Sequence, residues 1–288
     1  MQLILGQVIT GLSMGMVYFL IAVGLSLAFG TLKVFNVAHA SFFMFGAYLS
    51  YWITTWLSPN GFLYSVMLAP IIVAGLGGLI EIFLLRPIYT RDTLYQLILT
   101  FGLILVIGDV CKLIWGGDIH IIDMPKLFQG RVILLGTTLS YYQMFMILIG
   151  PAILSLILIM FNKTKLGRIV RAVTYSRDMS SALGINVSLI YTVVFMFASW
   201  LAGLAGAVMA PYSSVFLGMD ATVMIECFII VVIGGLGSVG GAFVGAIVFG
   251  LANSLGILIL PKLTIAISFI VMAAVLIFRP WGLMGKPE

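Results

Sequence analysis

Three polar side chains interrupt two apolar runs near the start of the chain: the amide of Asn36, the imidazole of His39 and the hydroxyl of Ser41. Polar groups at membrane depth are tolerated only where protein or a water-filled cavity satisfies them. One interpretation is a helix broken near the midplane, whose free N–H groups and these side chains bind an anionic or amide solute, with Asn36 the strongest candidate. The alternative is a polar interhelical loop at the cytoplasmic surface.

Three carboxylates also lie inside apolar runs, where an ionised group usually faces the protein interior with a partner. Glu81 precedes Arg86 by five residues, which predicts a salt bridge. Asp109 lies three residues before Lys112, a helical pairing distance, and is expected to be structural. Glu226 has no local cation. We place it on the substrate path, where it reflects either the identity of the substrate or a contact with another helix.

Enzyme chemistry finds little support in these residues. The chain has two His and two Cys, too few for a His-based zinc site, and we expect Cys111 and Cys227 to be buried free thiols. No H-E-x-x-H motif and no G-x-S-x-G in a suitable setting is present. The nearest match to a nucleotide-binding lysine motif, GLMGKPE, has Pro287 where Ser or Thr must meet magnesium. The sequence therefore predicts no catalytic residue, metal or cofactor in this chain and disfavours an intramembrane hydrolase.

The longest polar stretch, KTKLGRIVRAVTYSRDMSSALGIN, holds five of the fourteen Lys and Arg residues. Apolar residues within it recur at i, i+3, i+4 and i+7, which is typical of an amphipathic helix; they are Leu166, Ile169, Val170 and Val173. Ser176 is placed to cap a second short helix, and Gly184 to end it in a left-handed conformation. We expect two short cytoplasmic helices. They form either a docking element that inserts apolar residues into a partner or a solvated, lipid-facing basic loop.

Composition assigns the chain to membrane proteins. It is 62% hydrophobic and 8% charged, with a mean hydropathy of +1.25. Nine apolar runs are present, most of them long enough to cross a bilayer as helices, and they lack the alternation of a barrel. They lie near residues 8–29, 38–57, 62–85, 93–115, 139–161, 189–210, 221–236, 239–260 and 263–279. We predict an all-α polytopic bundle of eight to ten membrane helices in one domain, residues 1–288.

The basic residues predict orientation, because Lys and Arg in short loops stay in the cytoplasm. Alternation of the runs places ten of them on one side and four on the other. The ten are Lys33, Arg86, Arg91, Lys163, Lys165, Arg168, Arg171, Arg177, Arg279 and Lys286. The N-terminus is then outside, the C-terminus is inside, and Asp220 lies outside with Asp118 and Asp123. Basic loops beside anionic lipid explain the isoelectric point of about 9.2 without a nucleic-acid partner.

Small residues repeat every four positions in several runs, which lets helix backbones approach closely in lipid. The stripes are Gly11 and Gly15; Ser199, Gly203 and Ala207; and Gly237, Gly241 and Gly245. The segment GGLGSVGG is also short and flexible enough to act as a gate or hinge between two helices, with Gly234, Gly235 and Gly237 as candidates.

Several of these segments, taken together, resemble the branched-chain amino acid ABC permeases of the LivH type. LGRIVRAVTYSRDMSSALGIN is similar to the family's cytoplasmic coupling loop, with Ser180, Ser181 and Ala182 replacing usual residues. GLSLAFGTLKVFNVAHASFFMFGAYLS is similar to an N-terminal family motif, with Ala40 where Gly is usual. LRPIYTRD, VVIGGLGSVGGAFVGAIVFGL and RPWGLMG follow in the family's order, so the resemblance covers nearly the whole chain.

The resemblance implies a permease without chemistry of its own in the inner membrane of a prokaryote. It pairs with a homologous second permease, two cytoplasmic ATPases that bind ATP and Mg, and an external solute-binding protein. The coupling loop, residues 162–188, meets the ATPase, and the matching residues Arg171, Ala172 and Gly184 are assigned to it. Arg177 and Asp178, on the turn between the two short helices, are our candidates for polar contacts there.

The implied solute is a branched-chain or other amino acid, while urea, short amides and small carboxylates stay open as alternatives. A secondary carrier that works without ATP is an alternative of another class. It predicts a symmetric repeat and coupling-ion carboxylates at the midplane, and the sequence shows no convincing repeat. Whether the second permease is a different chain or a second copy stays open.

Overall fold

The computed structural model describes residues 2–57, 61–89, 91–134, 136–259 and 261–285; Lys286 and Pro287, used above, lie outside these ranges. The regular secondary structure of the described chain is helical except for one hairpin, in which strand β1 (Arg131–Leu134) pairs antiparallel with β2 (Thr137–Ser140). The helices are α1 (Gln2–Leu32), α2 (His39–Trp56), α3 (Gly61–Ile80), α4 (Thr93–Trp115), α5 (Tyr141–Lys163), α6 (Lys165–Tyr175), α7 (Arg177–Ala182), α8 (Val187–Met209), α9 (Met219–Gly234), α10 (Val239–Ile259) and α11 (Thr264–Phe278).

The nine predicted apolar runs coincide with nine helices, so the all-α polytopic bundle is confirmed. Six of the described helices are long and apolar enough by composition to cross a membrane: α1, α3, α4, α5, α8 and α10. The remaining three, α2, α9 and α11, are shorter or less apolar. Their lengths of 18, 16 and 15 residues correspond to about 22 to 27 Å at a rise of 1.5 Å per residue.

The bundle has two ends, which we name by what lies there. At the hairpin end the β-hairpin meets the start of α1, where the Thr137 hydroxyl donates to the Gln2 carbonyl oxygen at 3.1 Å. At the loop end lie the short helices α6 and α7 and the turn between α9 and α10. Gly30, in the last turn of α1, packs against Gly237 of the turn between α9 and α10.

Small residues hold the central helices together, as the stripes predict. A Cβ atom on Gly15 would lie 2.6 Å from the carbonyl oxygen of Ala246, and one on Gly46 would lie 2.6 Å from that of Gly203. These distances leave no room for a side chain, so α1 packs directly on α10 and α2 on α8. Without such contacts, helices in lipid gain little from associating.

Two parts of the fold share one layout in opposite directions. In the first, α1 ends at the loop end, the chain turns back to start α2, and α3 returns beside α2. In the second, α8 ends at the hairpin end, the chain turns back to start α9, and α10 returns beside α9. The packing follows the same plan, since α1 lies along α10 and α3 lies along α8. The sequence showed no convincing repeat because the common feature is helix order, which different residues build.

Two expectations about α4 have different outcomes. Cys111 is a buried free thiol as predicted, and so is Cys227 in α9. The predicted pairing of Asp109 with Lys112 is wrong: both side chains are exposed, and the described residues form no ion pair there. Most of α4 faces outward, so these two residues lie on the outer surface of the bundle.

Candidate functional site

The chain reverses direction directly after α1. Helix α1 ends at Leu32, and Lys33 takes the left-handed conformation, with φ +55°, while its N–H bonds the Phe29 carbonyl oxygen at 2.9 Å. A residue other than glycine with a positive φ is uncommon and stores strain. The turn sends residues 34–38 back into the bundle, where α2 begins at His39.

The start of α2 lies at half the length of its neighbours. The His39 ring donates from Nε2 to the carbonyl oxygen of Ile21 at 3.2 Å, well inside α1. A Cβ on Gly24 would lie 3.0 Å from His39 Nε2 and 2.9 Å from the carbonyl oxygen of Ala198, the central residue of α8. The first turn of α2 therefore starts deep in the bundle, as the broken-helix interpretation expects.

Asn36 is buried beside this helix start, with only 1% of its surface exposed. Its Oδ1 accepts the Ala38 N–H at 3.1 Å, a side-chain turn that shapes the entry into α2. Its Nδ2 is buried and has no acceptor among the described residues. The alternative of a surface loop is wrong for this segment, because Asn36, His39 and Ser41 are each 1% exposed.

Ser41 connects the starts of two helices. Its hydroxyl donates at 2.6 Å to Oδ2 of Asp220, which lies in the first turn of α9. Charge counting placed Asp220 on the outer side of the membrane; the structure shows that its side chain is buried inside the bundle, with 5% exposed. Helix N-termini favour negative charge, so the start of α9 offsets the burial of this carboxylate. A Gly-Met-Asp sequence at a helix start was the available signal, since Gly218 takes a left-handed φ of +88° before α9.

Glu226 lies two turns further along α9. Its carboxyl group interacts with the Tyr18 hydroxyl of α1, while Oε2 is buried with no hydrogen-bond partner among the described residues. Neighbouring residues on this side of α9, Thr222 and Ile225, are exposed. Glu226 is half-buried at the edge of this exposed face. An incompletely paired carboxylate is costly in lipid, so the face is suited to a partner helix or a water-lined path.

The predicted salt bridge of Glu81 is confirmed. Arg86 Nη2 lies 3.0 Å from Glu81 Oε2, and the Glu81 side chain is fully buried. The bridge lies at the loop end, where α3 passes into a π-helical turn.

The basic stretch folds as two short helices, and their caps follow the prediction. The Ser176 hydroxyl accepts the Met179 N–H at 3.3 Å at the start of α7, and Gly184 is left-handed with φ +80°. Arg177 and Asp178 lie in the first turn of α7 instead of on a turn between the helices. Both are exposed, as is Ala172.

Half of the apolar stripe of α6 packs against its own bundle, while Leu166 is exposed and Ile169 is half-buried. Val170 and Val173 are 1% and 2% exposed, and Val170 lines a small apolar pocket with Leu27 and Phe197 of its own bundle. The expectation that this stripe inserts into another protein is therefore wrong for these residues. Arg171, assigned to the ATPase contact, bonds the Phe161 carbonyl oxygen at the end of α5.

Other apolar residues of this stretch do face outward. Tyr175 is 94% exposed, Leu183 is 74% and Met179 is 63%. Tyr175 ends α6, Met179 lies in α7 and Leu183 directly follows α7, all beyond the buried stripe. The period of α6 did not reveal them, because α7 is too short to show a period of its own.

The turn between α9 and α10 is tightly packed. Gly235 and Gly237 have φ of +100° and +79°, which favour glycine. The Met284 N–H donates to the Gly234 carbonyl oxygen at 3.0 Å, so the segment after α11 covers the turn. Within the described ranges, no group of three His, Cys, Asp or Glu side chains could hold a metal ion.

Comparison with known proteins agrees with this architecture. Residues 7–278 match the protein family described as branched-chain amino acid transport system / permease component. The high-affinity branched-chain amino acid transport system permease protein BraD of Pseudomonas aeruginosa is 28% identical over 99% of this chain and 96% of its own length. LivH of Salmonella typhimurium has the same identity and coverage. The probable LivH of Methanocaldococcus jannaschii is 28% identical over 92% of this chain and 88% of its own length. No solved structure matches significantly. The match spans nearly the whole helical bundle, and the chain therefore belongs to the family of permease components of branched-chain amino acid transport systems.

Proposed function

We propose that this chain is the membrane-spanning permease subunit of an ABC importer for branched-chain or related amino acids. It works with a homologous second permease, two cytoplasmic ATPases that bind ATP and Mg, and an external solute-binding protein. The hairpin end faces outward, and the loop end faces the cytoplasm of a prokaryote. The observation that carries the proposal is the α6–α7 segment, which presents exposed apolar side chains at the loop end of a permease-family chain.

The exposed apolar residues in and beside α7 support an ATPase contact. Exposed apolar groups outside the membrane mark a protein interface, and Tyr175, Met179 and Leu183 form such a group. Arg177 and Asp178 border it and are suited to fix its register. Arg171 acts indirectly, since its bond to α5 braces α6 against the bundle, whereas exposed Ala172 is free to contact the ATPase. Gly184 completes the element by turning α7 into α8.

The substrate path runs past the start of α2 and along the exposed face of α9. Asn36 Nδ2 is a buried donor without an acceptor among the described residues, and a solute carboxylate or amide would satisfy it. His39, Ser41 and Asp220, which accepts from the Ser41 hydroxyl, complete this polar site. Glu226, at the edge of the exposed face, is suited to an ammonium group or to a basic residue of the second permease.

Branched-chain amino acids are the first choice of substrate because the relatives named above are permeases for them. The zwitterionic backbone of an amino acid also fits a path that offers both an amide donor and carboxylates. Urea, short amides and small carboxylates are the competing solutes. Substitution of Asn36 by Leu should change stimulation by substrate without disturbing assembly. An unchanged response would remove Asn36 from the path.

The experiment that tests the proposal is gentle detergent extraction of the tagged chain from its native membrane, followed by mass identification of what stays bound. We expect two ATPase subunits and a second permease. Recovery of this chain alone, active in vesicles without ATP, would mean a secondary carrier and contradict the proposal.

A further inference from the structure

The buried carboxylate of Glu81 is satisfied from two elements at the loop end. Its Oε2 accepts from Arg86 Nη2 at 3.0 Å and from the Thr192 hydroxyl of α8 at 2.7 Å. Its Oε1 accepts from the Tyr89 hydroxyl at 3.0 Å and from Arg86 Nε at 3.4 Å. A buried charge is tolerated when it is paired and hydrogen-bonded in this way. The cluster therefore fastens the end of α3 to α8.

The backbone at Glu81 is built for this cluster. Residues Glu81–Leu85 form a π-helical turn, in which the Arg86 N–H donates to the Glu81 carbonyl oxygen. In an α-helix, residues five apart diverge around the axis, whereas a π turn brings them onto one side. Such turns occur frequently at functional positions. Burial and the nearby Glu81 carboxylate raise the pKa of Tyr89, so its hydroxyl stays protonated and keeps donating.

The same cluster reaches the coupling segment through two aromatic rings. Tyr89 meets Tyr191 edge to face, with ring centroids 5.5 Å apart. The guanidinium of Arg177, the first residue of α7, lies over the Tyr191 ring, 5.8 Å from its centroid. A cation at this distance is attracted to the ring face. Contacts thus run without a gap from α7 through Tyr191 and Tyr89 to Glu81.

The helices joined by the cluster lead to the polar site. Thr192 precedes Ala198 by six residues on α8. Ala198 packs against Gly24 of α1, which also meets the His39 ring at the start of α2. Gly77 of α3 packs against Ser199 of α8 without space for a side chain. This close packing is suited to coupling a displacement of one helix to the other, because close-packed interiors transmit displacement.

We propose that Glu81, Tyr89 and Tyr191 are positioning residues that transmit movement of α7 to α3 and α8, and so to the polar site at the start of α2. Arg177 carries the movement from α7 to the Tyr191 ring. The Glu81 cluster then makes α3 follow α8, so that the helices on both sides of the site move as one body. This inference rests on the proposed function, since it is the ATPase that moves α7.

The test uses the complete transporter, purified with its ATPases and second permease and reconstituted with its binding protein. ATP hydrolysis and solute uptake are measured in the same vesicles, and their ratio gives the solute molecules moved per ATP. Glu81→Gln keeps the shape of the side chain but removes its charge, and we expect the ratio to fall at least fivefold. Tyr89→Phe keeps the ring contact but removes one hydrogen bond, and we expect a fall of about twofold. Arg91→Gln removes an exposed charge outside the cluster and should leave the ratio unchanged.

A second pair of variants separates transmission from folding, in case Glu81→Gln fails to assemble. Tyr191→Leu should uncouple the transporter, whereas Tyr191→Phe should restore the wild-type ratio because only the ring is in contact with Arg177 and Tyr89. Equal ratios in the two Tyr191 variants would overturn the inference. So would losses of hydrolysis and uptake in proportion to the amount of folded complex. If wild-type uptake does not depend on ATP, the proposed function itself fails, and that result is visible before any variant is compared.

Discussion

The bond between Ser41 and Asp220 makes a quantitative prediction about the centre of the fold. Both residues are buried, and the hydroxyl of one lies 2.6 Å from the carboxylate of the other, 179 positions further along the chain. A hydrogen bond to a charged group contributes about 1.5 to 3 kcal/mol. We therefore expect Ser41→Ala to lower the free energy of unfolding by about 2 kcal/mol, a change of roughly thirtyfold in the unfolding equilibrium.

A double-mutant cycle isolates this bond from other effects of each substitution. The variants are Ser41→Ala, Asp220→Asn and the two combined, with unfolding followed by tryptophan fluorescence during titration with SDS in mixed micelles. We expect a coupling energy of about 1.5 kcal/mol or more. The chain offers a neutral control, since the hydroxyls of Ser50 and Ser65 lie 2.9 Å apart between α2 and α3. A bond of that kind in a membrane bundle averages about 0.6 kcal/mol.

The reasoning would be refuted by a coupling between Ser41 and Asp220 that is no larger than that between Ser50 and Ser65. In that case the start of α9 would be held by packing alone. Asp220 would not belong to a polar site shared with α2.

Three further predictions test packing, coupling and orientation. Gly46→Val should reduce the yield of folded protein, because a Cβ would lie 2.6 Å from the Gly203 carbonyl oxygen and overpacking costs about 1 to 3 kcal/mol. Gly75→Ala, at a position with open space around it, should leave the yield unchanged. Equal yields of the two variants on size exclusion would contradict the close approach of α2 and α8. Gly184→Val should strain the left-handed backbone by about 1 to 2 kcal/mol. We expect lower uptake, while ATP hydrolysis and membrane insertion persist. Normal uptake would remove Gly184 from the coupling element. Arg91→Cys, at an exposed position of the loop end outside the proposed ATPase contact, should react with a membrane-impermeant maleimide in inside-out vesicles but not in intact cells. Labelling in cells would reverse the proposed orientation.

The nine apolar helices were predictable because the hydropathy of each run indicates a membrane helix. A run of apolar residues is long enough to cross a bilayer or it is not, and each of the nine runs became a helix. The caps of α7 were equally local, since Ser176 and Gly184 act within a few residues of their own positions. The salt bridge of Glu81 with Arg86 was found from proximity, although the π turn that aligns them was not.

Contacts between distant parts of the chain could not be predicted from the sequence. Asp220 follows an irregular stretch at the hairpin end, and counting charges places it outside, but the return of the chain before α9 buries it against Ser41. The period of α6 correctly gave an apolar face, yet a period does not tell which protein covers that face. Here the chain covers it itself, with Val170 and Val173 packed inward. Tyr191 was identified as a positioning residue only from its contacts with Tyr89 and Arg177, which are distant in sequence.

The most direct test of the proposed importer is uptake of a radiolabelled branched-chain amino acid into vesicles that hold this chain with its co-purified partners and the external binding protein. We predict uptake that requires ATP and is competed by other branched-chain amino acids, but not by urea or small carboxylates. Uptake without ATP, or an ATP-driven uptake of urea that branched-chain amino acids do not compete, would contradict the proposed function.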